Sequence, residues 1–291
     1  MTSLEEIRRH LNDVARESPE KAGALAFPML LNTGPRLPVR PAEQPLHDRA
    51  TAGTLDVDGR KLAVYRWGDG ERRVLLMHGF EGRASNMTGF VPGLEKLGMS
   101  AVAFDFFGHG ESEGDRATIL DVQDAVRAVE AEHGPFDTIV AHSFGGLCAY
   151  QAVRGGVRTD RLVTIASVCD FGHLPKIFCN RLGLDPSIED VLRRLSEEYF
   201  HPETEIWERF SAGHRAAELT LPLLVVHDEN DKEVPVEQGR KLSAAYSRAR
   251  YIETQGLGHR RIVADPGVIS ATLEFISAQV RTDSRKQESR G

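Results

Sequence analysis

The sequence predicts an α/β fold: a mostly parallel, twisted sheet with helices on both faces and a small helical cap. Three observations lead there. From about residue 73 to 280, short β-branched or apolar runs alternate with amphipathic stretches, the pattern of repeated β-α units with right-handed crossovers. Some of these runs, such as Val74-Leu75-Leu76-Met77, are apolar without alternation, as strands buried on both faces are. One stretch, residues 171–217, breaks the alternation with helical, aromatic-rich sequence lying between two strands.

Composition bounds the rest. A chain of 291 residues suits one large α/β domain or two small ones and can bury a sizeable core. Lys+Arg total 36 against 43 Asp+Glu, a net charge of −7, and no basic stripe stands out, so no nucleic-acid partner is expected. The three cysteines, Cys148, Cys169 and Cys179, have no metal-like spacing and are read as reduced core thiols of a cytoplasmic protein. The acidic start Met1-Thr2-Ser3-Leu4-Glu5-Glu6 is not a signal peptide. No apolar run approaches the roughly 18 residues of a membrane span. No metal site is expected from these spacings.

The elements follow in order. Ser3 and Glu6 form a capping-box pattern, and Leu4, Ile7, Leu11 and Val14 share one helical face. That stripe needs a partner, either the body of the protein or a second subunit, so a homodimer is one option. Residues 28–45 hold five prolines (Pro28, Pro35, Pro38, Pro41, Pro45), which reads as an extended surface arm without helix interior. Residues 1–52 are therefore an N-terminal helix and Pro-rich arm. From Thr54, two strand-like runs flank Asp58-Gly59, a hairpin signal. Strands are expected at Arg73–Met77, Ala101–Phe104, about Thr138–His142, Leu162–Ala166, Leu221–Val226 and Tyr251–Glu253. Helices are expected at about Asn86–Leu97 and Thr118–His133, and from the Ser143 turn to Arg154. The core then comprises 53–170 and 218–280. The 171–217 insertion, with Ile188, Val191, Leu192 and Leu195 on one face of a helix begun at Asp185-Pro186-Ser187, reads as a cap over the carboxyl edge of the sheet. Residues 281–291 are polar and expected to be disordered.

The junction Thr138-Ile139-Val140-Ala141-His142-Ser143-Phe144-Gly145-Gly146 carries the chemistry. A strand turning this sharply into a helix exposes one strained side chain, here Ser143, with small residues two positions before and after it where neighbouring backbone comes close. The bland alternative is a serine that merely caps a helix. A nucleophilic serine needs a base, and His259, in the Gly-rich loop after the last strand, is suitably placed. The base in turn needs a carboxylate to fix its tautomer. In Asp228-Glu229-Asn230-Asp231-Lys232-Glu233, Asp231 is favoured: Asp228 lies too close to the strand end, and Glu233 runs into the Val234-Pro235 turn. Asp170, after the strand that follows the elbow helix, is the alternative acid. Oxyanion donors would be the N–H groups of Phe144 and Phe80, the latter in His78-Gly79-Phe80 after an early buried strand. Gly79 lets that backbone approach a substrate. His142 either touches substrate or packs beneath the elbow, and with Gly79 it completes the candidate substrate contacts. Arg260 and Arg261 could bind a substrate carboxylate or pair with surface acids.

On five marks in one order the chain resembles the α/β-hydrolase superfamily across about residues 53–280. The marks are His78-Gly79, Asp105-Phe106-Phe107-Gly108-His109-Gly110-Glu111-Ser112, Ala141-His142-Ser143-Phe144-Gly145-Gly146, the loop ending in Asp231, and Gly258-His259. The order Ser143, Asp231, His259 is that of the superfamily. The resemblance implies an α/β-hydrolase fold with an eight-stranded sheet and a cofactor-free hydrolytic mechanism, the Asp105–Ser112 stretch being a structural turn. Ala141 for glycine and Arg260-Arg261 after the histidine depart from the usual pattern, and residues 1–52 match no part of the superfamily core. The expectation is a serine hydrolase acting on a carboxylic ester of a small or medium acyl group. A thioesterase, lactonase or acyltransferase on the same residues, or a ligand-binding protein without turnover, are the alternatives. A dehalogenase or epoxide hydrolase would carry Asp at position 143.

Overall fold

The computed structural model of the protein describes residues 3–288. Two helices come first, α1 (Leu4–Glu17) and α2 (Pro19–Leu31), followed by an irregular stretch and the single turn α3 (Gln44–His47). The hairpin β1 (Thr51–Val57) and β2 (Arg60–Trp67) leads into β3 (Arg73–Met77), α4 (Val91–Lys96), β4 (Ser100–Phe104), α5 (Ile119–His133) and β5 (Phe136–His142). Then come α6 (Phe144–Arg154), β6 (Thr159–Ile165), the insertion helices α7 (Leu174–Leu182), α8 (Ser187–Tyr199) and α9 (Ile206–Arg209), and β7 (Leu223–Asp228). The chain closes with α10 (Val236–Ala245), β8 (Ala249–Thr254), the turn α11 (Gly258–Arg261) and α12 (Pro266–Glu288).

The eight strands form one sheet in the order β1-β2-β4-β3-β5-β6-β7-β8. The β1–β2 and β2–β4 pairs are antiparallel, and every pair from β4 to β8 is parallel. The central strands are apolar on both faces because helices cover both. Leu75, Ile139 and Leu162 join one core cluster, whereas Leu76, Val140 and Val163 join the other. Each fully buried side chain of this kind contributes about 1.5–3 kcal/mol. The carboxyl ends of β3, β5, β7 and β8 lie together, so the loops that follow them converge on one edge.

The capping box at the start of α1 is formed: Ser3 N–H donates to Glu6 Oε2 (2.6 Å), and Glu6 N–H to Ser3 Oγ (3.2 Å). The inner part of the apolar stripe of α1 is covered by the chain itself, while Leu4 stays exposed. Leu11 and Ala15 join Ala22 and Ala26 of α2, and with Phe178, Ile188 and Leu192 of the insertion they make a small separate core. Residues 1–52 and 171–217, read separately in the sequence, thus pack together. At their contact a Cβ on Gly23 would lie 2.3 Å from Val191 Cγ1, so α2 can lie this close to α8 only with glycine there.

Two local expectations are corrected. Pro28 lies inside α2, not in an extended arm. It is on the exposed side near the helix end, where the Ala24 carbonyl that loses its partner can be hydrated. Pro45 sits in the first turn of α3, where no intrahelical N–H is required. The polar tail read as disordered forms the end of α12 as far as Glu288. Residues 289–291 of that expectation lie outside the described residues.

Candidate active site

Ser143 stands between β5 and α6 with φ 53° and ψ −122°, a conformation costly for any residue with a Cβ. The neighbours enforce it. Ser143 N–H donates to Ile165 O (2.9 Å), and Ser143 O accepts from Gly146 N–H (2.9 Å). A Cβ on Gly145 would lie 2.3 Å from His78 O, so the elbow closes onto the β3 loop only with glycine two positions on. Ala141, the other small position, is fully buried between Met77 and Thr164 of the flanking strands.

His259 enters from α11. Its Nε2 lies 2.9 Å from Ser143 Oγ and its Nδ1 2.7 Å from Asp231 Oδ2. All three residues are buried. The other Asp231 oxygen, Oδ1, accepts the N–H groups of Glu233 and Val234, each at 2.8 Å. Burial works to raise the Asp231 carboxyl, but hydrogen bonds from His227 and His259 and the Val234 N–H outweigh it and hold the group well below the usual carboxylate range. An ionised Asp231 can only accept, so Nδ1 of His259 carries the proton and the unprotonated Nε2 faces Ser143 Oγ.

The loop carrying His259 is held by a residue the sequence reading set aside. Asp228, the last residue of β7, is fully buried. Its Oδ1 accepts Asn230 N–H (3.0 Å) and Gly258 N–H (2.9 Å); its Oδ2 accepts Thr254 Oγ1–H (2.8 Å) and Leu257 N–H (3.0 Å). Burial opposes the charge, yet these donors keep the carboxyl below its ordinary value. Being next to the strand end, which argued against Asp228 as the acid, is what lets it reach the next loop. Asp170, the alternative acid, faces elsewhere: it accepts from Lys241 Nζ (2.6 Å) and Gln238 Nε2 (3.1 Å).

Phe144 is the first residue of α6, so its N–H has no acceptor one turn earlier in the helix. The loop carrying Phe80 is fixed by two buried histidines that spacing could not reveal. His78 Nδ1 donates to Gly79 O (2.7 Å), and its Nε2 accepts Phe106 N–H (2.9 Å). His109 Nδ1 donates to Phe107 O (2.9 Å), and its Nε2 accepts Glu81 N–H (2.9 Å). Each is thereby a neutral tautomer, and the turn from Asp105 to Ser112 supports the loop after β3.

A cleft of about 160 Å³ opens over Ser143 and His259. Phe80, Phe144 and Ile119 line it from the core; Phe171, Phe178 and Trp207 line it from the insertion. The end of α2, from Met29 to Asn32, lines it too, which the sequence reading did not anticipate. Arg260 lies at its rim, bonded to Glu233 Oε1 (2.8 Å), while Arg261 donates to the carbonyls of Leu257 (3.1 Å) and Gly256 (2.8 Å).

Gly79 and His142, read as candidate substrate contacts, are not among the residues that line the cleft. A Cβ on Gly79 would lie 2.9 Å from both Ser143 Cβ and His142 Nδ1, so glycine here serves the packing of loop against elbow. The turn at Ser143 leaves His142 beneath it, where Nε2 lies 2.9 Å from His259 O. Burial, and then the neighbouring His259, push the His142 ring down to about 3. His78 is likewise lowered, first by burial and then by His109.

Both rings refuse a proton that the unfolded chain accepts near pH 6.5. Their contribution to stability is therefore complete above that pH and falls as the pH drops below it. At about 1.4 kcal/mol per pH unit, the His142 ring alone should make the protein roughly 2 kcal/mol less stable at pH 5 than at pH 7 in denaturant titrations, with His78 adding in the same direction. A flat profile across that range would contradict neutral burial of the two rings.

Among the described residues no helix is long and apolar enough to cross a membrane, and no group of three or more His, Cys, Asp or Glu could hold a metal ion. Comparison with known proteins places the chain. Human Protein ABHD12B is 26% identical over 244 residues, covering 76% of this chain and 62% of the human protein, so the match spans less than two thirds of that relative. A putative lipase from Acinetobacter baumannii superposes with a TM-score of 0.65 at 18% identity, covering 86% of this chain and 99% of that one. The Pyrococcus furiosus esterase Pf2001 does so with a TM-score of 0.63 at 18% identity, covering 84% and 95%. The model of the alpha/beta hydrolase family matches residues 74–272, and with that match the chain belongs to the alpha/beta hydrolase family.

Proposed function

We propose that the protein is a serine hydrolase that cleaves carboxylic esters through an acyl-enzyme. The observation carrying this reading is the hydrogen-bonded series Ser143 Oγ, His259 Nε2, His259 Nδ1, Asp231 Oδ2, set at a strained elbow beneath a largely apolar cleft. His259 takes the Ser143 proton as Oγ attacks the acyl carbon; the N–H groups of Phe80 and Phe144 receive the oxyanion. His259 then protonates the departing alcohol and afterwards activates water against the acyl-serine. Serine at position 143, where Asp-dependent members of the fold carry aspartate, and structural neighbours described as a lipase and an esterase support ester chemistry.

The test is a fluorophosphonate probe read by mass spectrometry. Label is expected on Ser143 and to be absent from Ser143→Ala. Folded protein that takes no label there would refute the reading.

Asp228 provides a second check. Asp228→Ala frees the loop that aims His259, and misplacement of about an ångström costs on the order of 10²-fold. We expect kcat on p-nitrophenyl butyrate to fall by about that factor with KM little changed. Unaltered kcat in a folded variant would mean that the loop is held by other contacts.

A further inference from the structure

We propose that the carboxyl end of α2 is the wall that sets acyl specificity, and that the substrates are neutral esters with apolar acyl chains. The inference rests on the ester-hydrolase reading and names the substrate class of that site. Met29, Leu30 and Leu31 all line the cleft, although they lie more than forty residues before the family-matched segment 74–272. A core-only reading would leave that side of the cleft open.

The wall is fixed from both ends. On one side α2 lies against α8 through Gly23 and Val191, and Ala22 and Ala26 are buried among α7 and α8 side chains. On the other, Thr33 is buried immediately after the helix. Its Oγ1–H donates to Gly108 O (2.9 Å), its N–H donates to Asp115 O (3.0 Å), and Asn32 forms a bridge with Arg116. The same loop leads directly to Ile119, which also lines the cleft. The end of α2 is therefore held by packing on one side and hydrogen bonds on the other, as a specificity wall requires.

The charge of the lining argues for a neutral substrate. Among the described residues, the charged side chains lining the cleft are Arg181, Glu233 and Arg260. Arg181 is bonded to Glu81 (2.6 Å) and Arg260 to Glu233 (2.8 Å), with Glu81 also 3.6 Å from Arg260. Each cation already has its carboxylate, so a substrate carboxylate entering the apolar interior would lose its hydration without a counter-ion.

Leu31 is the residue to change. Met29 and Leu30 also pack against the small core beneath the insertion, whereas Leu31 is not part of that cluster, so its replacement alters the cleft more than the fold. The experiment compares p-nitrophenyl esters from acetate to decanoate for wild type, Leu31→Phe and Leu31→Ala in the full chain. Filling or emptying an apolar pocket by a few methylenes changes kcat/KM by roughly tenfold or more. Leu31→Phe should lose about that factor on decanoate relative to acetate, and Leu31→Ala should move the optimum to longer chains. Decanoate-to-acetate ratios within about twofold of wild type in both variants would overturn the wall assignment. A hemisuccinate ester should be about tenfold poorer than the valerate ester; faster turnover of the hemisuccinate would overturn the neutral class. Wild type inactive on every ester would instead refute the hydrolase reading. The wall would then be decided by titration with 2-decanone followed by tryptophan fluorescence. Trp207 lines the cleft and Trp67, the other tryptophan, is buried in the core. Weaker binding to Leu31→Phe sustains the wall; equal binding to both proteins overturns it.

Discussion

Ser143→Ala is expected to lower kcat on p-nitrophenyl esters by roughly 10⁵–10⁶-fold while leaving the fold intact. The substitution removes one atom, the Oγ that lies 2.9 Å from His259 Nε2, and keeps the Cβ that packs against Gly79. Alanine at φ 53° is no better suited to that backbone than serine, so the strain persists and the melting temperature should hardly move. Ser143→Gly should lose the same activity yet gain about 1 kcal/mol of stability, because glycine alone occupies this region without penalty. His259→Ala should cost nearly as much activity as Ser143→Ala, and the double variant little more, since the two act as one unit. Rates measured with active-site titration decide this. A Ser143→Ala protein keeping more than about a hundredth of wild-type kcat would show that another nucleophile does the work.

The stability gained in Ser143→Gly points to what a sequence can and cannot disclose. The strained serine was legible because only small residues fit around such a turn, and the chain writes Ala141 and Gly145 there. The strands were legible for a related reason: unbroken apolar runs such as Val74–Met77 have few explanations other than burial on both faces. His259 and Asp231 were legible as the polar residues of loops that a parallel sheet must bring to one edge.

The supports of the site were not legible. Asp228 differs from a surface aspartate only through Gly258, Leu257 and Thr254, which lie 26 to 30 positions later and meet it only after β8 has paired with β7. His78 and His109 have no mutual spacing that marks them, and their tautomers are set by backbone groups. From the sequence His142 reads either as a substrate contact or as packing, and its contact with the His259 carbonyl forms only once the last loop has closed on the elbow. The α2 wall escaped for a different reason. Pro28 reads as a helix breaker, and its tolerance depends on an exposed position near the helix end that composition does not reveal.

Asp231→Asn carries the second large effect, and its cause lies in which oxygen does what. Oδ1 already accepts two backbone N–H groups, from Glu233 and Val234, so the amide of an asparagine must keep its oxygen there. Its NH2 then faces His259 Nδ1, which has to become an acceptor. The proton moves to Nε2, the nitrogen that should receive the serine's, and the base is lost without any displacement of the ring. The expected fall in kcat at pH 7 is roughly 10⁴-fold. Asp170→Asn should stay within about threefold of wild type, because Asp170 is engaged with Lys241 and Gln238. The pH profile separates the roles further. With its carboxyl held well below the ordinary range, Asp231 stays ionised between about pH 5 and 9, so its titration adds no limb to the wild-type kcat profile there. A larger loss in Asp170→Asn than in Asp231→Asn would transfer the acid to the end of β6, and with it the explanation of how His259 is held in its working tautomer.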